Sequence, residues 1–291
     1  MNTVLFVIIK ILIIVIAAPI VGGLLSGVDR KLSAKMQRRK GPPILQPFYD
    51  VIKLFQKETT TVNNFTRFYV AISLFFTIFT VVLFCLGMDL LLCVFSFTLA
   101  CMFFVIAGYS SYSPFSFIGT ERELIQIMCY EPMILIAAFG YYEAAGTFSI
   151  GGVFGLSSPV ILKLPLIFIG LTYILTIKLR KSPFDLSMSH HGHQEIVKGI
   201  TTELTGSSLA MVEITHWYET IFSLGFVYIF FAYNTTASKI IAAVICLVVY
   251  FLEILIDNTF ARVKWQSALK YSWIITLITG ALNLLYFNFF H

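Results

Sequence analysis

The segment from Arg180 to Glu219 gathers four histidines (His190, His191, His193, His216) and five carboxylates (Asp185, Glu195, Glu203, Glu213, Glu219) between long hydrophobic runs. An ionisable group at the centre of a membrane helix costs about 2.5–3.5 kcal/mol, so such groups are rarely embedded without a task. Imidazole titrates near neutral pH, and carboxylates both accept and release protons. The pattern points to proton handling. Glu213, His216 and Glu219 are spaced by three, which makes successive members neighbours on a helix surface. They can pass protons through intervening water, or His216 and Glu219 can form a simple interfacial ion pair. Glu203 precedes the same helix.

Two further carboxylates interrupt apolar runs. Glu131 sits in Cys129-Tyr130-Glu131-Pro132, where Pro132 removes a backbone donor and can open the helix to water. It either caps that opening or relays protons. Glu253 and Asp257 are four apart at the end of another run, with Glu253 the deeper candidate and Asp257 expected to be solvated. The candidate proton-pathway set is therefore Glu131, Glu203, Glu213, His216, Glu219 and Glu253, with no catalytic residue in the usual sense.

His190, His191 and His193 raise the question of a metal, but no cysteine or spaced third ligand completes a closed site. A partner-facing, hydrogen-bonding loop is the better reading. The five cysteines (Cys85, Cys93, Cys101, Cys129, Cys246) are scattered singly, without the C-x-x-C spacing of zinc or iron–sulfur sites. No metal or cofactor is expected in this chain.

These groups must be positioned by helices in lipid. The chain has 291 residues, 58% hydrophobic and 12% charged, with mean hydropathy +0.87, against about 25% charged residues in soluble domains. It reads as an all-α, polytopic membrane protein forming a single integral membrane domain over 1–291. A span needs roughly 20 mostly apolar residues, which predicts eight transmembrane helices near 4–26, 68–87, 89–109, 122–143, 160–180, 207–232, 237–257 and 271–290. The first run lacks a small-residue cleavage site and is expected to be retained. Gly87-Met88-Asp89 alone separates the second and third spans, which predicts a tight hairpin.

The loops 27–67, 110–123, 178–206 and 258–270 alternate onto one side. They hold every basic residue except Lys10, Lys163 and Lys239, 17 of the 20. The positive-inside rule places those loops inside and both termini outside, in the cell membrane. The net charge of +5 therefore reflects topology and is no nucleic-acid signal. Arg180 and Lys181 read as an inner membrane boundary.

Over 46–58, Phe48, Val51, Ile52, Leu54 and Phe55 recur at helical spacing opposite Asp50, Lys53 and Lys57. This predicts an amphipathic interfacial helix after the first span. Such a helix anchors to the lipid surface or, behind the rigid Gly41-Pro42-Pro43 turn, seats a soluble partner. The inner loops 27–67 and 178–206 form the docking face on this reading.

Four ordered motifs carry a resemblance to a known family. They are Gln37-Arg38-Arg39-Lys40-Gly41-Pro42 with Gln46-Pro47 through Glu58; Glu121-Arg122 through Gln126 with Tyr130-Glu131; Pro183-Phe184-Asp185-Leu186 through Glu195-Ile196-Val197 and Thr202-Glu203; and Ala261-Arg262-Val263-Lys264-Trp265 with Trp273. Together they resemble the ND1/NuoH membrane subunit of complex I over nearly the whole chain. The family's acidic cluster after Pro-Phe-Asp-Leu is here Ser189-His190-His191-Gly192-His193-Gln194-Glu195. The tyrosine after its Thr-Glu pair is Leu204, the Asp near its last motif is Gln266, and one of its glutamates falls on His216. This His-rich version looks more like the membrane subunit of Ech-type energy-converting nickel–iron hydrogenases and of formate hydrogenlyase.

The resemblance implies a non-catalytic coupling subunit of an oxidoreductase complex, in which a ferredoxin-fed, proton-reducing soluble arm drives H⁺ or Na⁺ translocation. The nickel–iron centre and 4Fe–4S clusters would lie in partner subunits. Those partners are a NuoB-like small subunit and a NuoD-like nickel–iron large subunit on the inner face, with antiporter-like membrane subunits beside them. The implied interface residues are Arg38, Arg39, Asp50, Lys53, Asp185, His190, His191, His193, Glu195, Arg262 and Lys264. The alternatives are a quinone-binding ND1/NuoH subunit of respiratory complex I or the membrane subunit of formate hydrogenlyase.

Overall fold

Pro165 and Pro114 each stand in the first turn of a helix, where the missing N–H costs nothing, and they set two helix starts that apolar length alone misplaces. The computed structural model describes residues 2–58, 63–181, 184, 187, 198–261 and 263–290. Among these residues there are nine α-helices: α1 (Asn2–Met36), α2 (Gln46–Gln56), α3 (Asn64–Cys85), α4 (Leu90–Tyr109), α5 (Pro114–Ala145), α6 (Pro165–Lys178), α7 (Gly206–Phe231), α8 (Thr236–Thr259) and α9 (Trp265–Phe290). Short 3₁₀ turns occupy Ile150–Gly155, Val160–Leu162 and Gly199–Thr201. The chain is an all-helical polytopic membrane protein.

Six helices (α1, α3, α4, α5, α8, α9) are long and apolar enough to cross a membrane. Of the other two expected spans, α6 has 14 residues, about 21 Å of helix against a hydrocarbon core of about 30 Å. Helix α7 has 26 residues but carries Glu213, His216 and Glu219. The amphipathic helix after the first span forms as α2.

Several helices turn small polar residues inward and large apolar ones toward lipid. In α3 the buried stripe is Thr66, Val70, Ser73, Thr77, Thr80 and Phe84, while Phe65, Phe68, Phe75 and Phe79 are exposed. In α8 the buried stripe is Ser238, Ala242, Cys246, Val249, Tyr250 and Glu253, with Ile240, Ile241, Val244, Leu247 and Val248 outward. Ser272, Thr276 and Asn283 repeat the device in α9.

Two helix boundaries differ from expectation. Helix α1 continues ten residues past 26, so Arg30, Lys31 and Lys35 ride on helix rather than loop. Helix α5 begins at Pro114, which puts Glu121, Arg122 and Glu123 on a helix instead of in the 110–123 loop.

The chain divides into two compact units, and α4, α5 and α7 each contribute residues to both. The first comprises 1–86, 96–123 and 187–222; the second comprises 87–95, 124–186 and 223–291. In the first, α3 and α4 form the expected hairpin, tied by Ser73 Oγ donating to the Ala100 carbonyl at 2.8 Å and by Thr80 and Ser96 hydroxyls 2.7 Å apart. Gly22 and Gly23 of α1 let the Trp217 backbone and the Phe48 ring approach where any Cβ would sit within 2.5 and 2.6 Å of them. In the second unit, α6 packs on α9, and Gly170 leaves room for Thr279 and Met133. Asn283 bridges these helices by accepting from Leu166 N–H at 3.2 Å and donating to the Lys163 carbonyl at 3.4 Å.

Candidate functional site

Helix α1 and helix α6 both end in the Schellman pattern, in which the residue after the C-cap turns left-handed. For α1 that residue is Arg38 (φ 56°), with Arg38 N–H donating to Lys35 O and Arg39 N–H to Ala34 O. For α6 it is Arg180 (φ 55°), with Arg180 N–H donating to Ile177 O and Lys181 N–H to Thr176 O. Glycine normally takes this position, because a Cβ there costs about 1 kcal/mol. The α6 ending turns the next residue, Lys181, back onto the bundle.

Lys181 is consequently 4% exposed, packed against the chain at the end of α6. Its ammonium lies 3.9 Å from an Asp257 carboxylate oxygen and 5.6 Å from the centre of the Tyr250 ring. Asp257, expected to be solvated, is thus half of a mostly buried ion pair. Glu253, one turn earlier on α8, is 2% exposed, and both Lys181 and Asp257 act on it electrostatically. Its Oε2 has no hydrogen-bond partner among the described residues. Glu253 and Lys181 are thus buried close to a partly exposed Asp257. Lys178, 7% exposed, places its ammonium 4.5 Å from the centre of the Tyr130 ring and 3.4 Å from the Tyr130 hydroxyl. Glu131, the next residue, is half-buried within a continuous α5.

The first unit holds the other candidates. Glu213, His216 and Glu219 lie on α7, with Glu213 and His216 half-buried and Glu219 8% exposed. His216 meets the Phe104 ring edge-on, centroids 6.3 Å apart. Glu203 is exposed in the connection before α7. The opposite side of α7 is fastened to α1, where Tyr218 Oη donates to the Val15 carbonyl at 2.6 Å. Phe48, Val51 and Leu54 of α2 pack with Ala210 and Trp217 of α7. Tyr49, Ile52 and Phe55 remain exposed on the other face of α2.

Among the expected interface residues, Arg38, Arg39, Lys53 and Lys264 are exposed. Asp50 instead works within the chain: Arg30 pairs with it at 2.8 Å and Gln46 donates to it at 2.9 Å, which fixes α2 against α1. Asp185, His190, His191, His193, Glu195 and Arg262 lie outside the described residues.

Sequence reasoning missed Glu123, which is 3% exposed and accepts a hydrogen bond from the Ser187 hydroxyl. It also missed the burial of Lys178 and Lys181. Ser113-Pro114 is the signal that would have found Glu123, since a proline at the first helical position starts α5 early enough to enclose it.

Residues 9–288 match the family described as NADH dehydrogenase. Formate hydrogenlyase subunit 4 of Escherichia coli (strain K12) is 28% identical, over 93% of this chain and 94% of its own length. NADH-ubiquinone oxidoreductase chain 1 of Artemia franciscana is 29% identical, over 89% of this chain and 91% of its own. Among solved structures, a chain of the membrane-bound sulfane sulfur reductase, an archaeal respiratory membrane complex, superposes with TM-score 0.82 at 26% identity, covering 95% of this chain and 99% of that one.

Proposed function

The chain belongs to the NADH dehydrogenase family as an ND1/NuoH-type membrane subunit of a complex I-like respiratory or hydrogenase complex, and from that premise we propose that it couples a hydrogen-evolving soluble arm to ion translocation. The observation that carries this reading is the full-length likeness to formate hydrogenlyase subunit 4, joined to the His-rich form of the 187–206 segment. The electron donor is ferredoxin. The nickel–iron centre and the 4Fe–4S clusters reside in the docked small and large subunits, and antiporter-like subunits complete the membrane part.

The chain sits in the cell membrane with its basic loops inside and both termini outside, as its lysine and arginine distribution supports. Its residues perform no redox step. The exposed cations Arg38, Arg39, Lys53 and Lys264 face the arm. Protons or Na⁺ are handled in each unit by its own buried and half-buried ionisable groups: Glu213, His216 and Glu219 in the first, and Glu131, Glu253, Asp257 and Lys181 in the second. Glu203 stands at the exposed entry to α7.

The test is a comparison of coupled and uncoupled activity in the purified complex. Glu131→Gln and Glu203→Gln should lower ion-coupled activity at least several-fold while leaving assembly and electron transfer in the arm intact. Full coupling in both variants would overturn this placement of the pathway. A second reading, quinone binding, is favoured by the 29% identity to NADH-ubiquinone oxidoreductase chain 1. It predicts inhibition by quinone-site ligands, which the hydrogenase reading does not.

A further inference from the structure

The buried Glu123 of α5 and the close approach at Gly119, one helical turn earlier, converge on the segment that the proposed function assigns to docking. Ser187, 0% exposed, donates its hydroxyl to Glu123, and its carbonyl accepts the Ile200 N–H at 3.2 Å. Ile200 is itself 1% exposed and belongs to an apolar cluster with Val70, Phe104, Ala107, Leu204 and Val212. A Cβ on Gly119 would stand 2.3 Å from the Ile200 nitrogen, and one on Gly108 would stand 2.7 Å from the Ile200 side chain. The Ser116 hydroxyl adds a 3.4 Å hydrogen bond to the Ile200 carbonyl. Lys198 and Gly199 enter this contact in left-handed conformations (φ 55° and 54°), a costly geometry for lysine that only surrounding contacts maintain.

Ser187 and Ile200 are thirteen residues apart in sequence but bonded to one another, and both sit against α5. We propose that Glu123 is the positioning residue that fastens Ser187 and Ile200, the two ends of the 187–200 segment, together on α5. The inference rests on the docking role given to that segment above. A hydroxyl bonded to a carboxylate is a stronger tether than one bonded to a neutral acceptor. Removing the acceptor also takes away the partner of a fully buried hydroxyl. Glutamine retains an acceptor oxygen at the same reach; alanine does not.

The experiment is hydrogen–deuterium exchange on the purified complex, followed at the amides of Gly199, Ile200 and Thr201, with dissociation of the soluble arm measured on the same samples. Glu123→Ala and Ser187→Ala should each raise exchange at Ile200 about tenfold and speed arm dissociation by a similar factor, with α6 amides unchanged. Glu123→Gln and Ser187→Thr should restore both readouts to within about threefold. The double variant Glu123→Ala/Ser187→Ala should be no worse than either single one.

Unchanged Ile200 exchange in Glu123→Ala or Ser187→Ala would overturn the anchor. So would accelerated exchange that the conservative variants fail to rescue. If Glu123→Ala does not accumulate, the Ser187→Ala and Ser187→Thr pair decides. Absence of any soluble arm from the wild-type preparation would instead overturn the docking reading, while the Ile200 amide would still report on the anchor.

Discussion

The Tyr218 hydroxyl donates to the Val15 carbonyl at 2.6 Å, and Val15 is the acceptor that Pro19, four residues on, leaves without a helical partner. Lipid offers no water to replace that partner, so a side chain from α7 supplies it. The contact fixes the rotation of α7 against α1, and hence the face on which Glu213, His216 and Glu219 are carried.

Tyr218→Phe should therefore destabilise the protein by about 1 kcal/mol, the scale of a hydrogen bond between membrane helices. Pro19→Ala restores the helical donor to Val15. The double variant should thus lose less than the sum of the two single ones, as read from thermal unfolding of the detergent-solubilised complex. Strict additivity would mean that the two residues act independently.

Gly22 and Gly27 should resist even the smallest enlargement. A Cβ at Gly22 meets the Trp217 carbonyl oxygen at 2.5 Å, and one at Gly27 meets the Ile44 carbonyl oxygen at 1.9 Å. Both obstacles are backbone and neither can swing aside. Gly22→Ala and Gly27→Ala should each cost about 1–3 kcal/mol through overpacking and lower the amount of assembled protein in membranes. Gly155→Ala, where a Cβ meets nothing within 4 Å, is the control.

Lys181→Met should strip the second unit of the cation that serves Asp257 and influences Glu253. Breaking a buried pair from one side costs roughly 3–5 kcal/mol; the Asp257 side chain is 23% exposed, so the loss here should be smaller. Lys181→Arg should preserve stability and coupled activity, and Lys181→Met/Asp257→Asn should recover part of the stability. A Lys181→Met protein with wild-type coupling would remove this cluster from the pathway.

Asp50 and Lys53 should separate anchoring from docking. Asp50→Asn breaks the half-exposed pair with Arg30, worth no more than about 1 kcal/mol, and should loosen α2 as seen by protease sensitivity near Gln56. Lys53→Glu leaves that pair intact and should weaken binding of the soluble arm without changing stability. Equal effects of both variants on arm binding would mean that α2 is only an anchor.

Apolar length made six of the eight expected spans legible, because a membrane helix must satisfy its own backbone and shows it by composition. The ends were less so. Arg38 and Arg180 occupy left-handed positions where glycine would have announced the stop, and the stretch after residue 26 in α1 continues as helix despite its charge. Ser113-Pro114 was a start signal outweighed by the polar residues beyond it.

The candidate carboxylates of α7 and α8 stood out because charge within an apolar run is visible in one dimension. Glu123, Lys178 and Lys181 did not, since a charge near the end of a run becomes buried only through partners far away in sequence. Ser187 is 64 residues from Glu123, and Asp257 is 76 residues from Lys181. Asp50 shows the reverse case, a charge read as partner-facing that the chain uses on itself.

The most direct test is to purify the complex that accompanies this chain in mild detergent and measure its nickel content, H₂ evolution from reduced ferredoxin and quinone reduction together. The account predicts nickel in the complex and H₂ evolution, without quinone reduction. Quinone reduction by a nickel-free complex would contradict it and return the chain to a respiratory, quinone-binding role.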